Sequence, residues 1–77
     1  MAGPIKRSVS IAGHATSVTL EPVFWEALQR AAAEEGWSLA GLVARVDAAR
    51  IQAADPPNLS SALRTWVVER LLAATSG

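Results

Sequence analysis

The chain has 77 residues and a mass of 8.1 kDa, room for one domain. It has no cysteine and one histidine, His14, which excludes a disulfide framework, a cysteine zinc site and a two-histidine metal centre. Seven basic and seven acidic residues balance to zero, so the basic excess of a strong nucleic-acid binder is missing. A composition 51% hydrophobic and 18% charged is too apolar for a disordered chain. It also carries more apolar surface than so small a domain hides alone, which points to oligomerisation. The charges are segregated. Lys6 and Arg7 stand without an acid in residues 1–20, Glu21, Glu26, Glu34 and Glu35 outweigh Arg30 in residues 21–35, and the remainder is mildly basic. No apolar run reaches the length of a membrane span, and no apolar stretch follows the basic pair to make a secretory signal; a cytoplasmic protein is expected.

Residues 1–5 read as a flexible arm, followed by a single domain over 6–74. From Lys6 to Ala12 polar Ser8 and Ser10 alternate with apolar Val9 and Ile11, the period of a half-buried strand. Ala15 to Leu20 alternates again, with Thr16, Val18 and Leu20 on one side and Ala15, Ser17 and Thr19 on the other. Gly13 between them suits either a two-residue hairpin turn or a bend in one longer ribbon. Glu21-Pro22 starts a helix over 22–35, because proline tolerates the first helical position. Its apolar face is Phe24, Ala27, Leu28, Ala31 and Ala32, widened by Trp25, and Gly36 stops it. Ser38 caps a second helix over 38–54 with Leu39, Leu42, Val43, Val46 and Ala49 inward; Asp55-Pro56-Pro57 ends it. Asn58 caps a third helix over 58–73, with Leu59, Ala62, Leu63, Trp66, Val67 and Leu71 inward, and residues 75–77 are expected to fray.

Strand, Pro-started helix, Gly-x-Ser turn and second helix, in the residues Thr16–Leu20, Glu21-Pro22 and Gly36-Trp37-Ser38-Leu39, resemble the ribbon-helix-helix DNA-binding domain. The blocks Lys6–His14, Thr16-Ser17-Val18, Phe24-Trp25 and Asn58–Arg64 are similar to a bacterial subfamily of short proteins with that domain, and the likeness runs from Lys6 to Leu72. The resemblance implies a mainly α fold with an N-terminal β-ribbon, in an intertwined homodimer with one ribbon strand from each subunit. The third helix is additional to the minimal fold and either covers the core or extends the assembly. The resemblance also implies that outward ribbon residues, here Ala15, Ser17 and Thr19, enter the major groove, which admits a two-stranded ribbon. The N–H groups of Trp37 and Ser38 would hold a phosphate at the second helix's N-terminus. Lys6 and Arg7 are candidate phosphate contacts flanking the ribbon.

Two features run against a simple transfer. The ribbon residues are short, with Ala15 where the subfamily often has Arg, and the net charge is zero. The expected function is a small DNA-binding transcriptional regulator; the alternative is an interaction or oligomerisation module of the same fold without significant DNA affinity. Trp25 and Trp66 are expected in the core or an interface, and Trp37 at the helix–helix turn. His14 has no partners for a triad or a metal site. With no Gly-x-Ser-x-Gly elbow and no phosphate-binding Gly-x-x-x-x-Gly-Lys loop, neither an enzyme nor a cofactor is expected.

Overall fold

A computed structural model of the chain describes residues 3–76. Two strands, β1 (Ile5–Ile11) and β2 (His14–Leu20), pair antiparallel with each other and are followed by α1 (Pro22–Glu35), α2 (Leu39–Arg50) and α3 (Leu59–Ser76). The hairpin turn is Ala12-Gly13, with φ of 50° and 83°. Positive φ at both central residues is the type I′ arrangement, whose twist matches that of the flanking strands. Of the two possibilities left open for Gly13, the tight hairpin is the one formed. The register follows from it: Ile11 faces His14, Val9 faces Thr16, Arg7 faces Val18 and Ile5 faces Leu20. Val9, Val18 and Leu20 are buried on the inner side, with Ile11 and Thr16 half-buried beside them.

The three helices cover that inner side. Glu21 is the N-cap residue of α1 through its backbone, its carbonyl accepting from the N–H of Phe24 at 2.9 Å and of Trp25 at 3.2 Å. At the other end Gly36 takes the left-handed conformation at φ 76°, which only glycine adopts without strain. Its own N–H and that of Trp37 then turn back onto the last carbonyls of the helix; Trp37 N–H donates to Ala32 O at 2.8 Å. Ser38 caps α2 as expected, its Oγ accepting from Gly41 N–H at 2.9 Å, and Asn58 Oδ1 caps α3 by accepting from Ser61 N–H at 2.8 Å.

α2 packs on β1 and α3 on β2, while α1 touches both helices. Leu20, Leu28, Leu42, Leu63, Val18 and Val43 have almost no exposure. Burying side chains of this size stabilises by about 1.5–3 kcal/mol each. Leu63 belongs to α3, so the third helix is an integral wall of the core.

Several expectations are corrected. β1 begins at Ile5, inside the expected arm, of which Met1 and Ala2 lie outside the described residues. α2 ends at Arg50 rather than Ala54. Beyond it the bonds tighten to Gln52 N–H on Ala49 O and Ala53 N–H on Arg50 O, while Arg50 clamps the turn by donating to Asp47 Oδ1 and Pro57 O. α3 continues to Ser76, past the expected end at 73, and Gly77 lies outside the described residues. Trp25 is at the centre of the α1 face and Phe24 on its flank; Ala49 and Leu71 are exposed and Trp66 is half-buried.

An ion pair joins the start of α1 to α3. Arg64 donates from Nε to Glu21 Oε1 at 2.9 Å and from Nη2 to Oε2 at 3.2 Å. That fork holds the Glu21 carboxyl below its ordinary range, chiefly through the hydrogen bond from Arg64. A depressed carboxylate contributes stability above its unfolded pKa, and the contribution is lost as pH falls through the folded pKa. Glu21→Gln should therefore lower the urea midpoint at neutral pH, and the gap to the parent protein should close as pH drops below about 4.5; a constant gap would show that the pair is not the source.

Ala12 is the one non-glycine residue at positive φ among the described residues. A left-handed alanine costs roughly 1–2 kcal/mol, and asparagine is the preferred residue at this turn position. Ala12→Asn should raise stability by about 0.5–1 kcal/mol, and Ala12→Val should lower it, both read from thermal unfolding.

Candidate nucleic-acid interface

Strand pairing decides which side chains share the outer face. Because Ile11 faces His14, the outward pairs are Ser10 with Ala15, Ser8 with Ser17 and Lys6 with Thr19. All six are exposed. The surface is thus a patch of three hydroxyl-rich rungs, with no large apolar side chain and one cation at its end. Ala15, Ser17 and Thr19 fall on it together, as expected. Lys6, Ser8 and Ser10 join them, and the two serines are the face residues that reading β2 alone omits. The signal for them was present: residues 6–12 alternate with the same period as 15–20, and an in-chain hairpin makes the two patterns one surface.

The pair Lys6 and Arg7 is divided by the pleat, since successive residues point to opposite faces. Lys6 lies on the outer face. Arg7 is on the helix side, its guanidinium 5.4 Å from the centroid of the Trp25 indole. Trp25 in turn donates its Nε1–H to Ile5 O at 3.0 Å. One indole therefore fastens α1 to the first strand and carries an arginine over its ring, a cation–π contact.

At the start of α2 the proposed phosphate donors are also unequal. The Trp37 N–H already closes α1 by bonding Ala32 O, so it is occupied. The first N–H groups of a helix have no intrahelical partner, which leaves Ser38 and the residues just after it as the donors of this end. Trp37 itself is half-buried, with the Arg45 guanidinium 4.1 Å from its ring centroid.

Most of the remaining basic groups are engaged inside the chain. Arg50 is held by Asp47, Arg64 by Glu21, and Arg70 by Glu34 and Glu35 at 2.8 and 2.9 Å. The last pairing raises the Arg70 pKa further, first through the hydrogen bond to Glu34 and then through that to Glu35. Arg30 has a looser, exposed partner in Glu26 at 3.7 Å. Among the described residues Lys6, Arg7 and Arg45 are the cations without a carboxylate partner. The acidic residues of α1 thus largely neutralise arginines of the same chain.

His14 is exposed at the start of β2 and borders a shallow depression with Ile11, Thr16 and Arg50. No group of three or more histidine, aspartate or glutamate side chains placed to hold a metal ion occurs among the described residues. No helix among them is long and apolar enough to cross a membrane.

Comparison with known proteins gives one match. The family model described as ribbon-helix-helix domain matches residues 4–71, nearly the whole chain. No curated protein and no solved structure matches.

Proposed function

The chain belongs to the ribbon-helix-helix domain family, and from that premise we propose that it is a small transcriptional regulator that binds DNA as a homodimer. Domains of this family are generally DNA-binding transcription regulators. The observation that carries the reading is the outer face of the hairpin: Lys6, Ser8, Ser10, Ala15, Ser17 and Thr19 share one exposed plane free of large apolar groups. Two strands lie about 4.8 Å apart, narrow enough for a major groove about 12 Å wide. Short hydroxyl side chains let the backbone approach base edges closely. Serine and threonine hydroxyls both donate and accept, so their discrimination between bases is modest. Lys6 and the free N–H groups at Ser38 are the phosphate contacts in this scheme, and phosphate contacts set position and affinity rather than sequence.

The placement of charge favours one competing reading. Lys6 is the single formal charge on the outer face, and the chain is neutral overall. A module that binds another protein through the same face needs no more than this. The two readings separate in a salt titration of duplex binding by fluorescence anisotropy.

Each phosphate neutralised steepens the salt dependence by roughly 0.9 on a log–log plot. Lys6→Ala should flatten that slope by about 2 units in a dimer, one contact being lost from each chain. Arg7→Ala should leave the slope nearly unchanged and lower the melting temperature, because Arg7 covers Trp25. Thr19→Ala should narrow the preference between sequences at constant slope. Absence of binding at low salt, on both random and selected duplexes, transfers the assignment to the interaction module.

A further inference from the structure

We propose that the hollow between α2 and α3 is a binding site for a small aromatic acid with a single carboxylate, its ring system against Trp66 and its carboxylate on Arg45. The proposal goes beyond the DNA reading and does not rest on it.

The outer seam between α2 and α3 stays open because small residues border it, Ala49 and Ala53 from α2 and the turn after it, and Ala62 from α3. The result is a cavity of about 360 Å³, within the range of small-molecule sites. Leu42 and Val46, both buried, form its floor. Trp37 and Trp66, two of the three tryptophans, stand half-buried in its walls. An aromatic guest pairs with such rings more favourably than its buried area alone accounts for.

Charge selects the class of guest. Arg50 also reaches the hollow, but its donors are taken by Asp47 and by Pro57 O. Arg45 has no carboxylate partner, and its guanidinium lies 4.1 Å from the centroid of the Trp37 ring. At that separation the planar group rests on the ring face, and its N–H donors, which lie in its own plane, stay free at the edge. A carboxylate is the group that takes two parallel N–H bonds from such a fork. Lys6 and Arg7, the other cations without a carboxylate partner among the described residues, belong to the hairpin and do not line this hollow.

Glu69 sets the limit on charge. It lines the same hollow, and among the described residues it forms no ion pair with Arg45 or with any other cation. A second negative charge on the guest would face this carboxylate, so the site suits a monoanion and disfavours a phosphate or a dicarboxylate. An apolar floor, two indoles and one available guanidinium thus match a molecule with a flat apolar body and one charged end. A partner helix, about 10–12 Å across, would lie over the whole seam and cover both Arg45 and Glu69, at a cost for each charge left unpaired.

Isothermal titration calorimetry of the full chain with 2-naphthoate, 2-naphthamide and 2-naphthyl phosphate tests the proposal, with circular dichroism as the check on folding. The acid should bind once per chain with Kd below about 1 mM, as suits a ligand of this size. The neutral amide should bind about 10-fold or more weakly, because it lacks the charged pair of acceptors. The phosphate should also bind more weakly than the acid. Arg45→Gln should erase the difference between acid and amide by weakening the acid alone. Ala49→Phe fills the hollow from an exposed helix position and should abolish binding of both; if it disturbs the fold, Arg45→Gln decides. Acid binding that is absent, no tighter than the amide's, weaker than the phosphate's or undiminished by Arg45→Gln overturns the proposal. So does acid binding that weakens as protein concentration rises, since a second copy then covers the hollow.

Discussion

A two-residue turn leaves no freedom in register. Once Ala12 and Gly13 take positive φ, Ile11 must face His14, and the period of two then assigns every side chain of both strands to a face. A slip by one residue would send Val9, Val18 and Leu20 outward and bring Ser8, Ser17 and Thr19 into the core. Burial of the first three thus holds the register from one side, and the turn holds it from the other. The polar outer patch is a consequence of both. Its composition is fixed by what the inner face needs, and any recognition it performs uses the residues left over by that requirement.

The second dependence is on α3. α2 packs on β1, so a hairpin with two helices would leave β2 without its main cover. Leu63 and Val67 fill the space over β2, and Arg64 ties the same turn of α3 to Glu21 at the start of α1. β1 meanwhile occupies one edge of β2 within the chain. The features for which the family resemblance implies a second subunit, a paired strand and a shared core, are thus both supplied by a single chain. What remains unpaired is the outer edge of the hairpin and the far half of α3.

Much of this was legible in the sequence because the signals were local. Pro22, Gly36, Ser38 and Asn58 act on backbone groups a few residues away, so α1 was read to the residue and the caps of α2 and α3 were placed correctly. The alternation in β2 assigned its two faces for the same reason. What was not legible depends on contacts distant in sequence. α2 stops at Arg50 although the sequence from Ile51 to Ala54 does not oppose a helix, and Arg50 there reaches across the turn to Pro57. Helical spacing put Leu71 on the inner face, but no neighbouring element extends far enough to cover it. Arg7 and Lys6 looked like one basic pair, and only the presence of Trp25 below the hairpin distinguishes them. The Trp37 N–H was misread as available because a helix C-terminal glycine motif reaches one residue past the glycine.

The neutral composition acquires a different meaning once the pairings are known. Glu21, Glu34 and Glu35 on the α1 side hold Arg64 and Arg70 of α3, so these opposite charges join two helices and contribute little field at the hairpin. Fields between exposed charges fade over about 8–10 Å at physiological ionic strength. A polyanion approaching the outer face therefore meets Lys6 and the hydroxyls first, with the net charge of the whole chain a poor guide to what it encounters. Affinity built this way is limited by the number of cations within reach, and a single chain offers few. Two hairpins held at a fixed separation double that number without altering either face, and the second contact then forms at the effective concentration set by the linkage. The link between subunits in a dimer would thus determine how strongly so sparsely charged a ribbon can bind.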